Sequence, residues 1–185
     1  HRVHRRQRQM CIRDSVLSDN ESYDVRLLGS GAILREALKA KDILFKFKIK
    51  AQVWSVTSFN LLRKDGMEIE RYNQLNPSGK QKLTYVEECF SDSNVPVIAA
   101  TDYMRSYAEQ IRPYIHSSYT TLGTDGYGRS DSRQTLRDFF EVDSKSIARA
   151  AIYALYKNDK IDKNQIENYY KELGIDSNKP NPWEI

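Results

Sequence analysis

Residues Gly123-Thr-Asp-Gly-Tyr-Gly-Arg-Ser-Asp-Ser-Arg133 set three glycines beside two aspartates and two arginines within eleven positions. A guanidinium can grip a carboxylate or phosphate through two parallel hydrogen bonds, so Arg129 or Arg133 in such a loop is a candidate anion ligand. Both signs of charge also stand within a few residues. Asp125, Arg129, Asp131 and Arg133 can therefore pair with one another, and that favours a polar knot at a seam with another domain or subunit over a substrate site. Tyr127 joins them, because tyrosine and arginine are the side chains most often central to protein contacts. Arg71, flanked by Glu68 and Glu70, is read as a docking residue of the same kind.

Other chemistries find little support. Gly29-Ser-Gly31 stands where a dinucleotide fingerprint would begin, but Leu34 occupies the third small position and Val53-Trp-Ser-Val-Thr57 supplies no ribose-binding acid. A tight strand-to-helix turn accounts for it. His1 and His4 lie in the extreme N-terminal arm and His116 stands apart, so no metal cluster or Ser–His–Asp order is visible. Cys89 follows Glu87 and Glu88, a setting that disfavours a reactive thiolate. It reads as a small packing residue. No catalytic, cofactor or metal ligand is assigned.

The elements around the loop read as strand alternating with helix. Strands are expected at Val25–Leu28, Ala51–Val56, Val95–Ala100 and Tyr119–Leu122. The third is apolar throughout, as in a strand buried on both faces. Apolar spacing places Ile33, Leu34, Ala37, Leu38, Leu44 and Phe45 on one helical face. A second helix, from Ser58 to about Asn76, is expected to break at Asp65-Gly66. Asp102 is expected to cap a helix that ends before Pro113, and Asp131, with Gln134 three residues on, to cap the helix after the glycine loop. Asp143 and Asp162 cap two further helices, the last stopped by Gly174. Alternation of this kind gives an α/β, three-layer domain with a mostly parallel sheet covered on both faces.

The chain has 185 residues, one domain by length, and 39% hydrophobic composition, enough for a core. No apolar run reaches the roughly 20 residues needed to span a bilayer, and the basic N-terminus lacks the apolar stretch of a signal peptide. Two cysteines form no disulfide framework, so a reduced, cytoplasmic setting is expected. The net charge of +4 comes from the first fifteen residues. Without them the body holds 24 basic and 24 acidic side chains and offers no bulk field for nucleic acid. Gln9–Ser15 resembles translated adapter sequence. Residues 1–15 are therefore read as a disordered, non-native lead, and 16–185 as the domain.

The glycine loop and four further segments resemble one family. The segments are Val25–Arg35, Val53–Phe59, Asp65–Leu75, and Ala100–Met104 with Ala108–Arg112. In this order they are similar to the C-terminal, transketolase-like domain of the thiamine-dependent decarboxylating component of homodimeric bacterial pyruvate dehydrogenases. The resemblance covers nearly all of the chain from Asp24 onward. It implies a sheet of about five strands with one antiparallel at the edge. It also implies a larger enzyme in which thiamine diphosphate and magnesium sit between the N-terminal and middle domains. Those domains, a second subunit and a lipoyl acyltransferase are the implied partners. The fragment itself would be structural, dimer-forming and inactive alone. Tyr72, Asn76 and Tyr127 stand where the family commonly has tryptophan, histidine and phenylalanine. The alternatives are a domain of transketolase or another thiamine enzyme, and a stand-alone binding or assembly module.

Overall fold

A computed structural model describes residues 12–14, 22–91, 94–182 and 184. Its centre is a parallel sheet of β2 (Val25–Gly29), β3 (Ala51–Val56), β4 (Val97–Ala100) and β5 (Tyr119–Leu122). These four strands are parallel, and a short edge segment completes the expected mostly parallel sheet of five with one strand antiparallel. A three-residue segment, β1 (Ile12–Asp14), runs antiparallel beside β3 and gives the order β1-β3-β2-β4-β5. The rest of the lead lies outside the described residues, and with it the expectation that it is disordered.

Residue alternation along the strands loads both faces with apolar side chains. Leu27, Val53 and Ile98 point to one core, and Leu28, Trp54 and Ala99 to the other. The register sets Leu28 opposite both Trp54 and Ala99. Each such buried side chain contributes about 1.5–3 kcal/mol over an exposed one. The first core is covered by α1 (Leu34–Lys46), α5 (Arg133–Phe139), α6 (Ser144–Lys157) and α7 (Lys163–Leu173). The second is covered by α2 (Phe59–Leu75), α3 (Tyr85–Cys89) and α4 (Arg105–Glu109).

Several helix signals hold. Asp143 accepts from the Ser146 amide, Asp162 from that of Gln165, and Gly174 closes α7 in the left-handed conformation. Trp54 is core, with its Nε1 donating to Gln52 at 2.9 Å. Cys89 is half-buried against the second core. Other expectations fail. The helical face of α1 includes neither Leu38, which is 42% exposed, nor Phe45, which is 75% exposed; Glu36, Ala37, Ala40 and Leu44 form the buried arc. α2 runs unbroken through Asp65-Gly66. The Asp65 carboxylate accepts from the Tyr85 amide at 2.8 Å, and the Tyr114 ring occupies the space where a Cβ on Gly66 would stand. That glycine serves packing rather than a bend. Finally, α4 begins at Arg105 after Met104, not at Asp102, although it ends before Pro113 as expected, and that proline sits inside a separate 3-10 turn, Arg112–Tyr114.

Candidate functional site

β5 delivers the chain to Gly123 beside the start of α4. A Cβ there would stand 2.5 Å from the Tyr103 carbonyl oxygen and 2.7 Å from the Arg105 nitrogen, so the close approach requires glycine. The Thr124 amide donates to Tyr103 O at 2.9 Å, and its hydroxyl donates to Asp102 O at 2.8 Å. Asp125 completes the junction. Its Oδ1 accepts from the Arg105 amide at 3.0 Å, and its Oδ2 lies 3.3 Å from Arg105 Nε. Because Met104 contributes no side-chain cap to α4, Asp125 supplies that cap from a separate loop.

The loop then turns outward. Gly126 has φ +102°, a conformation that excludes a side chain without strain. Tyr127 is 94% exposed. The Arg129 guanidinium lies 4.3 Å from the centre of the Phe139 ring, which meets Phe140 edge-on at the margin of the first core. A cation over an aromatic face in an exposed setting contributes about 0.5–1 kcal/mol. Ser132, not Asp131, caps α5, accepting from the Thr135 amide at 3.2 Å. Asp131 Oδ1 instead accepts from the Ser132 amide at 2.6 Å, one residue on, too near to reach the helix's free donors. Arg133 begins α5 and is exposed. The loop therefore brings Asp125, Tyr127, Arg129, Asp131 and Arg133 to one end of β5, with Asp125 committed to this domain's own helix.

Arg71 is elsewhere. It belongs to α2, on the other side of the sheet from α5. There it lines a shallow groove of about 480 Å³ with Asn60, Arg63, Lys64, Met67, Glu68 and Gln110.

What holds the loop's exit helix is a buried carboxylate. Glu36, 5% exposed, accepts from Arg137 Nη1 at 3.0 Å and, through its second oxygen, from the Ser144 amide at 3.1 Å. Lys39 Nζ lies 3.0 Å from the first oxygen. Burial works against the charge, but the hydrogen bond and charge of Lys39, the Ser144 amide and the Arg137 charge together hold its pKa below the ordinary carboxylate value. Further along, Glu141 takes a bidentate pair from Arg149 at 2.7 and 3.2 Å, which lowers the carboxylate's pKa and raises that of the guanidinium. Lys179 Nζ donates to Asp138 O at 2.6 Å and ties the C-terminal segment to α5.

Glu36 and Arg137 were not among the residues singled out from sequence. The signal was available. Glu36 falls three residues after Ile33 and four before Ala40, on the apolar arc, where a lone acid needs a partner.

Among the described residues no three His, Cys, Asp or Glu side chains converge to hold a metal ion. None of their helices is long and apolar enough to cross a membrane. The exposed loop presents donors and an aromatic ring.

Comparison with known proteins supplies a context. The chain is 51% identical over 163 residues to the pyruvate dehydrogenase E1 component of Pseudomonas aeruginosa, covering 87% of this chain and 18% of that protein. It is 44% identical over 160 residues to the pyruvate dehydrogenase E1 component of Escherichia coli, covering 85% and 18%. The chain thus spans about a fifth of the length of these relatives. Transketolase from Leishmania mexicana superposes with a TM-score of 0.55 at 18% identity, over 83% of this chain and 19% of that one, and so shares the fold. Residues 15–143 match the model of the transketolase-like TK C-terminal domain, and the chain belongs to that family.

Proposed function

We propose that this chain is the C-terminal domain of a pyruvate dehydrogenase E1 component, and that it acts there as a docking and dimer-forming module without chemistry of its own. The observation that carries this reading is the 51% identity over 163 residues to the Pseudomonas aeruginosa E1 component. The identity to solved transketolases, at 16–21%, supports the fold alone.

In this reading the whole enzyme decarboxylates pyruvate and passes the two-carbon unit to a lipoyl group on an acyltransferase. Thiamine diphosphate, when bound with magnesium, supplies the carbanion chemistry. The resemblance to the pyruvate dehydrogenase component assigns cofactor and metal to the N-terminal and middle domains of that enzyme. The residues of this chain orient and dock. Asp125 fixes the loop to α4, Arg129 rests on Phe139, and Tyr127, Arg133 and the outer face of Arg129 are offered to another domain or to the second subunit. Arg71 docks separately, across the sheet. The setting is cytoplasmic, as a sequence with two cysteines and no disulfide framework suggests.

The test is activity of the full-length polypeptide that carries this sequence, supplied with thiamine diphosphate and magnesium. Pyruvate-dependent release of carbon dioxide with acetylation of a lipoyl domain is expected. Activity on sugar phosphates without activity on pyruvate overturns the reading.

A further inference from the structure

No residue of α2 beyond Gly66 is fully buried. The buried residues of this 17-residue helix are Phe59, Leu62, Asp65 and Gly66, all in its first half. From Met67 onward its residues are exposed or half-buried, and residues 76–83 that follow are exposed throughout. Met67, Leu75 and Leu83 are 53%, 63% and 58% exposed. Three large apolar side chains on one projecting element are unusual for a surface that only meets water.

The projection is nonetheless built. Asn73 clasps the returning chain twice, donating from Nδ2 to Lys82 O and accepting from the Lys82 amide, both at 2.9 Å. Lys82 Nζ sits 3.3 Å from the centre of the Tyr72 ring. Asn76 Nδ2 donates to Tyr72 O at 2.8 Å, and Gln81 Nε2 donates to Asn76 O at 3.2 Å. At its base, Thr84 closes a capping box with Glu87, and Asp65 holds the Tyr85 amide. A loop so pinned loses little entropy on binding. At the root of the projection lies the groove of about 480 Å³, where Arg63, Lys64 and Arg71 face a single acid, Glu68, around Met67.

We infer that Met67–Leu75 and residues 76–83 form a docking arm. In the longer enzyme it is covered by an apolar side chain flanked by carboxylates, contributed by the rest of that polypeptide. The occupant follows from two observations. The groove carries an excess of positive charge around an exposed apolar centre, so it complements acidic groups around an apolar one. And roughly four-fifths of the relatives' length lies outside the region this chain matches, so most of the surface available to cover the arm belongs to the same enzyme. The inference rests on the reading of the chain as one domain of such an enzyme. It concerns the opposite side of the sheet from the glycine loop's helix.

The experiment is thiol labelling of Leu75→Cys in the full-length enzyme with a maleimide, followed by peptide mass and set against the same variant in the 185-residue chain. Labelling at least tenfold slower in the full-length enzyme supports the arm, and equal rates overturn it. Protection that appears in the 185-residue chain only as its concentration rises assigns the arm to a second copy of itself and overturns the proposed occupant. The paired change Lys64→Glu with Arg71→Glu should restore fast labelling of Leu75→Cys in the full-length enzyme; unchanged protection contradicts the acidic partner. Pyruvate decarboxylation by the unmodified enzyme is read in parallel. An active enzyme with an unprotected arm overturns this inference alone, and an inactive one with a protected arm overturns the functional reading alone.

Discussion

Arg137 places Nη1 3.0 Å from Oε1 of Glu36, joining side chains 101 residues apart. The pair couples α1, at the front of the chain, to the helix that leaves the glycine loop. Glu36 also receives the Ser144 amide, so one buried carboxylate fixes the start of α6 and the position of α5 together.

Replacing Arg137 by Ala should cost about 1–3 kcal/mol, because it removes a charged hydrogen bond from a buried acid that retains Lys39 and Ser144. Glu36→Ala should cost more, since three donors then lose their acceptor at once. Urea unfolding at neutral pH measures both. Equal stability of Glu36→Ala and the native chain would show that the carboxylate holds nothing.

The same group predicts an acid response. Its folded pKa is depressed below the ordinary value of 4.5, as are those of Glu87, Glu109 and Glu141. A depressed folded pKa gives stability that is complete above the unfolded value and is lost as pH falls through the folded one. Stability should be level from pH 7 down to about 5 and decline below about 4.5. Glu36→Gln should start lower at pH 7 and decline less steeply. Parallel curves for the two proteins would remove Glu36 from the account.

Gly123→Ala should destabilise the chain by about 1–3 kcal/mol, as overpacking does. The added methyl meets backbone atoms of Tyr103 and Arg105 that cannot swing away. Gly128 faces open space, so Gly128→Ala should be nearly neutral. Thermal melts of the two variants, side by side, distinguish a close approach from a general need for a flexible loop.

Gly66→Ala should also destabilise, for a different reason. Its Cβ would stand 2.1 Å from Tyr114 Cζ. Shortening that side chain should relieve the clash, so Gly66→Ala should cost less in a Tyr114→Ala background than in the native chain. A double-mutant cycle without coupling would contradict the packing.

These glycines show how far the sequence was legible. The strands and the caps at Asp143 and Asp162 follow from apolar runs and from an acid standing just before an apolar spacing. Both are local signals. Asp65-Gly66 carries the local signal of a break, but the helix continues because Tyr85 and Tyr114, distant in sequence, use those two residues. Asp131 and Ser132 both suit a cap. The choice fell to Ser132 through one residue of register that spacing alone does not resolve. Asp125 was legible as a loop acid, whereas its partner, the Arg105 amide, depends on where β5 ends beside α4. Leu38 and Phe45 are apolar and so read as buried, but the surface they occupy is left exposed by the described residues.

The central claim is that the glycine loop docks onto protein and does not bind substrate. Arg129→Ala in the full-length enzyme tests it, with sedimentation at low concentration and the Michaelis constant for pyruvate read on the same preparation. Weakened dimerisation or domain docking, by about 2–5 kcal/mol if the guanidinium meets a buried partner charge, with a Michaelis constant that changes little once dimers are saturated, is the result predicted. Dimers that stay tight while that constant rises tenfold or more would contradict it.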